Sequence, residues 1–89
     1  MNNLTYKLTF HPGVKKDLRK IPKIIVNKIE QAILDLSINP FLGYKLEGKY
    51  KGLMAYDFSY RYRIIYGINK TKGLLTIYEI WHRGRDYKL

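Results

Sequence analysis

Two apolar runs late in the chain, "YRYRIIYGI" at 60–68 and "LLTIYEIW" at 74–81, are separated only by Asn69-Lys70-Thr71-Lys72-Gly73. Both are rich in aromatic and β-branched side chains and both have the length of a strand, so a short polar loop ending in glycine specifies a hairpin between them. A hairpin is marginal by itself in water, and its apolar side must be covered by the rest of the chain.

The earlier residues supply that cover. At 4–10, "LTYKLTF" puts Leu4, Tyr6, Leu8 and Phe10 on one parity and Thr5, Lys7 and Thr9 on the other, the period of a half-buried strand. His11-Pro12 ends it, and Pro12 suits the first turn of a short helix running to about Lys20, with Val14, Leu18 and Ile21 as its apolar stripe. His11 reads as a local cap or turn residue. Pro22 starts a second helix in which Ile25, Ile29, Ala32, Ile33 and Leu36 recur at helical spacing, and Asn39-Pro40 closes it. Residues 41–52, "FLGYKLEGKYKG", are rich in glycine and lysine and read as a mobile basic connection. One more strand is expected at 53–58. The order is β-α-α-β-β-β: an α+β fold, one domain over 1–89, with two helices packed on one face of a small, mainly antiparallel sheet and the other face open.

Composition limits what such a domain does. A chain of 89 residues with 46% hydrophobic content supports one core and not two. Without cysteine there is neither a disulfide framework nor a thiolate metal site, and two separated histidines make a poor one; no metal and no cofactor are expected. No apolar run reaches the roughly 18–20 residues of a membrane span, and the polar start "MNNLTYKLTF" lacks a signal-peptide core, so a cytoplasmic protein with no membrane partner is expected. Seventeen Lys and Arg against seven Asp and Glu give +10. That excess attracts polyanions, and nucleic acid gains most because cationic side chains release its counterions.

The basic residues fall in a pattern. With Tyr62 and Ile64 under the helices, Arg61, Arg63 and Ile65 face the opposite way. "WHRGRDYKL" then adds His82, Arg83, Arg85 and Tyr87. If the two strands pair through the 69–73 turn, Arg63 and the His82-Arg83 step lie toward the same end of the sheet and form a cationic pocket with one histidine and one tyrosine. Phosphate calls for guanidinium forks, bases for aromatic faces, and proton transfer for a group titrating near neutrality. Singly, each residue has an ordinary structural role; their conjunction points to nucleic acid.

"FHPGVKKDLRKIP", "NPFLGYKLEGKYKGL", "YRIIYGI" and "IYEIWHRGRDY" resemble, in order and spacing and nearly end to end, the RelE/ParE superfamily of type II toxins. The resemblance implies the RelE-like microbial RNase fold. In the RelE branch it implies a metal-independent endoribonuclease, an mRNA interferase that enters the 30S A site and cuts mRNA by attack of a ribose 2′-OH on the adjacent phosphorus. Carried over residue by residue, Arg63 matches the strand arginine that contacts the scissile phosphate, and Arg83 a basic residue after the last strand. Tyr87 lies where a C-terminal tyrosine stacks on the base or assists proton transfer, and His82 where some related nucleases place a catalytic histidine. Arg61, Arg85, Lys45, Lys49 and Lys51 are the candidates for holding RNA backbone. The strand before "YRIIY" departs from relatives that carry lysines there: it reads "LMAYDF", with Met54 and Tyr56, and Asp57 as its only ionisable group. Either His82 takes the proton-transfer role or Lys49 and Lys51 supply the missing charge. The implied partners are the ribosome, mRNA and an acidic, partly disordered antitoxin, with DNA contacted only through the antitoxin complex. The alternatives are a ParE-like inhibitor of DNA gyrase and a catalytically decayed homologue acting in an antitoxin-bound repressor complex.

Overall fold

A computed structural model describes residues 5–82. Strand β1 (Lys7–Phe10) leads into helices α1 (Gly13–Arg19) and α2 (Lys23–Ile38), followed by β2 (Tyr44–Lys45), β3 (Met54–Asp57), β4 (Tyr62–Asn69) and β5 (Leu74–His82). The five strands form one sheet in the order β1-β5-β4-β3-β2. Every neighbouring pair is antiparallel except β1 and β5, which run parallel. The α+β architecture and the β4–β5 hairpin follow the sequence reading.

The helices lie on one face. Val14, Ile21, Ile29, Ala32, Ile33 and Leu36 pack with Tyr62, Ile64, Tyr66, Leu75, Ile77 and Ile80 in one buried cluster. On β4 this is strict alternation. On β5 it is not: Ile65 pairs with Glu79 and Tyr66 with Ile77, which leaves Tyr78 as the extra residue of a β-bulge. The bulge lets Ile77 and Ile80, three apart, both face the helices, and it turns Glu79 and Trp81 to the far side.

Two expectations are corrected. Residues 41–52 are ordered into single 3-10 turns at Pro40–Leu42 and Gly48–Tyr50, with β2 between them. Nor is the far face simply open, since Ala55 and Ile65, which alternate away from the helices, are 0% exposed. The Tyr50 ring meets that of Trp81 on β5 at a centroid distance of 5.3 Å. The Tyr50 ring thus reaches from the connection between β2 and β3 to β5 on the far face.

Tyr66 ties this connection to the core. Its hydroxyl donates to the Pro40 carbonyl at 2.6 Å and accepts from the Gly43 N–H at 3.2 Å. Burial pushes the phenol above its ordinary 10.0, outweighing the Gly43 N–H, which pulls it down. The folded state therefore keeps this proton longer than the unfolded chain does. The associated stability is complete below the unfolded value and is lost as pH rises through the folded one. Tyr66→Phe should cost about 1–3 kcal/mol at neutral pH by orphaning the two backbone groups, and should flatten the alkaline loss. Urea midpoints at neutral and strongly alkaline pH measure both effects; an unchanged alkaline slope would assign it to another group.

Candidate functional site

The β3–β4 ladder sets Asp57 directly across from Arg63 on the face away from the helices. Arg63 Nε donates to Asp57 Oδ1 at 2.6 Å, and Nη2 to Oδ2 at 3.4 Å. From β2, the Tyr44 hydroxyl donates to the same carboxylate, 3.3 Å from Oδ1 and 3.2 Å from Oδ2. The Tyr44 ring lies 5.8 Å from the guanidinium carbon. An arginine held by a facing carboxylate and flanked by a ring has lost much of its rotamer freedom, so its fork points in a set direction.

On the other side of Arg63, its partner on β5 is Trp81. The indole N–H donates to the Glu79 carboxylate. Tyr50 meets the indole edge-on, and Lys49 Nζ sits 5.4 Å from the Tyr50 ring centroid. Successive strands thus bring Tyr44, Asp57, Arg63 and Trp81 to one face. This is a guanidinium fork beside the Tyr44 ring, with an indole opposite it on the next strand and a lysine at the margin, chemistry suited to a phosphodiester and its bases.

His82 is elsewhere. It pairs with Tyr62, on the helix side of the sheet, and the two rings meet edge-on at 4.9 Å. Its Nδ1 is buried, with no hydrogen-bond partner among the described residues. Arg63 and His82 share an end of the sheet, as expected, but lie on opposite faces, so these two side chains do not line one pocket. The bulge at Tyr78 is the reason. Arg83, Arg85 and Tyr87 lie outside the described residues.

The remaining basic candidates are divided. Arg61 is exposed just before β4, where the Ser59 hydroxyl accepts from the Arg61 and Tyr62 backbone N–H groups. Lys45 pairs with Met54, on the helix-side parity, and with Lys51 lines a shallow cavity of about 340 Å³ that also includes Glu47 and Ile68. Of the three loop lysines, Lys49 is the one whose contact leads to Trp81. Met54 and Tyr56 pack against the core, so the residues that strand β3 presents on the Arg63 side are Ala55 and Asp57.

Sequence reasoning does not single out Tyr44, Tyr50 or Trp81. The first two sit in the stretch read as mobile, and Trp81 reaches this face only through the bulge. Among the described residues no group of three or more His, Asp or Glu side chains is placed to hold a metal ion.

A family model described as the ParE toxin of the type II toxin-antitoxin system parDE matches residues 8–87. A search of curated proteins gives no match. Among solved structures, the chain is similar to one in the toxin-antitoxin complex RelBE2 from Mycobacterium tuberculosis, with 26% identity, TM-score 0.82, and 89% of this chain and 92% of that one covered. It is also similar to one in the archaeal RelE-RelB complex from Pyrococcus horikoshii OT3, with 29% identity, TM-score 0.75, and 91% and 98% covered. YafQ from E. coli strain BL21(DE3) shares the fold, at 18% identity and TM-score 0.72 over 92% and 98% of the two chains.

Proposed function

As a member of the RelE/ParE superfamily the chain is a toxin of a type II toxin-antitoxin system, and we propose that it acts as a ribosome-dependent endoribonuclease that cleaves mRNA in the A site. The observation that carries this reading is the Arg63 guanidinium, fixed on the far face of the sheet between Tyr44 and Trp81. The ribose 2′-oxygen attacks the adjacent phosphorus, and the bond to the 5′-oxygen breaks. A cyclic 2′,3′-phosphate and a free 5′-hydroxyl result, with one proton leaving the nucleophile and one reaching the leaving oxygen. Arg63 stabilises the added charge on the phosphorane, and the flanking rings receive bases. Arg83 adds positive charge, Arg85 and Arg61 hold backbone, and Tyr87 orders the substrate. His82, on the other face from Arg63, is a weaker candidate for proton transfer than Tyr87 or a ribosomal group.

Lys49 is assigned to the RNA backbone, because it stands on the side of Tyr50 and Trp81. Lys49→Ala should weaken association with programmed ribosomes and reduce the log–log salt slope by about one, whereas Lys45→Ala should leave the slope unchanged. Equal effects would place the RNA track elsewhere.

An antitoxin is the expected protein partner, as in the RelBE2 and RelE-RelB complexes. Half-exposed Phe10 and Leu34 line an apolar groove of about 350 Å³ with Leu8, Leu18 and Ile33, which suits an amphipathic segment whose acidic side meets the +10 charge. The matching ParE family model favours a second reading, inhibition of DNA gyrase. In-vitro translation of a defined mRNA with primer extension, with and without ribosomes, separates the two. A-site cuts that require ribosomes support the nuclease; intact message alongside blocked supercoiling by gyrase supports the alternative.

A further inference from the structure

Asp57 takes no part in the chemistry above, yet its carboxylate occupies the Nε side of the Arg63 fork, the edge on which a phosphate would make the same two-point contact. We propose that Asp57 is a positioning residue that aims Arg63 and competes with the substrate phosphate for it. The proposal rests on the reading of Arg63 as the phosphate-binding group.

Three features support it. Asp57 and Arg63 are a direct cross-strand pair, so the carboxylate is delivered to the guanidinium by the sheet register rather than by a chance surface encounter. The Tyr44 hydroxyl bonds both carboxylate oxygens, which holds Asp57 in a bidentate orientation. Finally, the side chains of Arg63 and Asp57 are 17% and 30% exposed, so an incoming anion has access, and the ion pair is wet enough to exchange. A carboxylate and a phosphodiester place oxygens at similar spacing, and both cannot occupy Nε–H and Nη2–H together. Substrate must displace Asp57 or enter by the Nη edge, with Asp57 remaining as the brace. In either case removal of the negative charge eases anion binding, while loss of the brace blurs the aim of the fork.

Those effects have opposite signs, which a merely structural role would not produce. Asp57→Asn keeps the size of the side chain, and Asp57→Glu keeps its charge. Inorganic phosphate titrated into the free protein, read by the NMR signal of the Arg63 Nε–H, should bind Asp57→Asn about threefold to fivefold more tightly than wild type. On programmed ribosomes Asp57→Asn should reach half-maximal cleavage at a lower toxin concentration by a similar factor, with a maximal rate about tenfold to a hundredfold lower; Asp57→Glu should recover part of that rate. Asp57→Ala should repeat the Asn pattern. Unchanged phosphate affinity, or affinity and maximal rate falling together, would overturn the proposal. The phosphate titration needs no ribosome, so a protein that cuts no mRNA defeats the nuclease reading while the Asp57 inference is still decided by that titration.

Discussion

Arg63→Ala is expected to slow single-turnover cleavage on programmed ribosomes about 100-fold to 1000-fold, the loss of about 3–4 kcal/mol that accompanies removal of a preorganised donor from a developing oxyanion. The fold should survive. Arg63 alternates away from the helices, and the buried cluster beneath β4 is built from Tyr62, Ile64 and Tyr66, so truncation opens no cavity there. Arg63→Lys should recover little, since an ammonium is a point charge and does not span two phosphate oxygens. His82→Gln is the informative companion. With its ring against Tyr62 on the helix side, His82 should matter less than about tenfold to the chemical step, and its loss should show mainly in stability. Near wild-type rates in Arg63→Ala would defeat the proposed mechanism. A large loss confined to His82→Gln would show that the end of β5 rearranges on the ribosome.

The largest stability effect is expected at Gly43. A Cβ there would lie 2.2 Å from the Ala55 carbonyl oxygen, 2.7 Å from the Tyr66 hydroxyl and 2.9 Å from the Ala55 carbonyl carbon. The backbone at Gly43 is extended, with φ −87, so the demand is for space and not for an unusual dihedral. Two of the three clashing atoms are backbone of β3 and cannot swing aside. The third is the hydroxyl that anchors Pro40 and Gly43. Gly43→Ala should therefore combine overpacking with loss of the Tyr66 bonds, about 3 kcal/mol in all. For a domain of this size that lowers the melting temperature by roughly 12–24 °C. Gly48, with φ 68 and no atom within 4 Å of the point a Cβ would occupy, is the control. Its alanine variant should cost only about 1 kcal/mol, from the left-handed backbone. Similar losses at both positions, measured by urea denaturation, would show that the contact at Gly43 relaxes.

The legible part of this fold is the part written in periodicity. The alternation of Tyr62, Ile64 and Tyr66, the helical spacing from Ile25 to Leu36, and the glycine-bearing loop at 69–73 each carry a repeat that one kind of element satisfies. The misread part is 41–52, where glycine and lysine hide an order that comes from distant partners: Tyr66 holding Pro40 and Gly43, and Trp81 holding Tyr50. Composition predicts mobility only when no such partner exists. For the site, Arg63 is visible from parity alone. The face of His82 is not, because one unpaired residue at Tyr78 reverses every assignment after it, and a bulge leaves no mark in hydropathy. Asp57 is visible as the lone charged residue of its strand, but its meaning depends on a cross-strand register that sequence spacing does not show.

The position of β5 governs when the molecule can assemble. It is the last strand in chain order among the described residues, yet it lies between β1 and β4 and joins them. Residues 7–10 therefore find their ladder partners only at 74–77, across nearly the whole chain. Until β5 is available, β1 has no sheet to join, and the helices have only half a surface on which to pack. Loop-closure entropy for that contact is committed before most of the core can repay it, which favours slow, all-or-none folding over growth from the N-terminus. During synthesis the early strand and helices must wait, apolar faces uncovered, for the final strand to emerge. A protein with this strand order acquires its shape, and with it the far-face array around Arg63, in one late step.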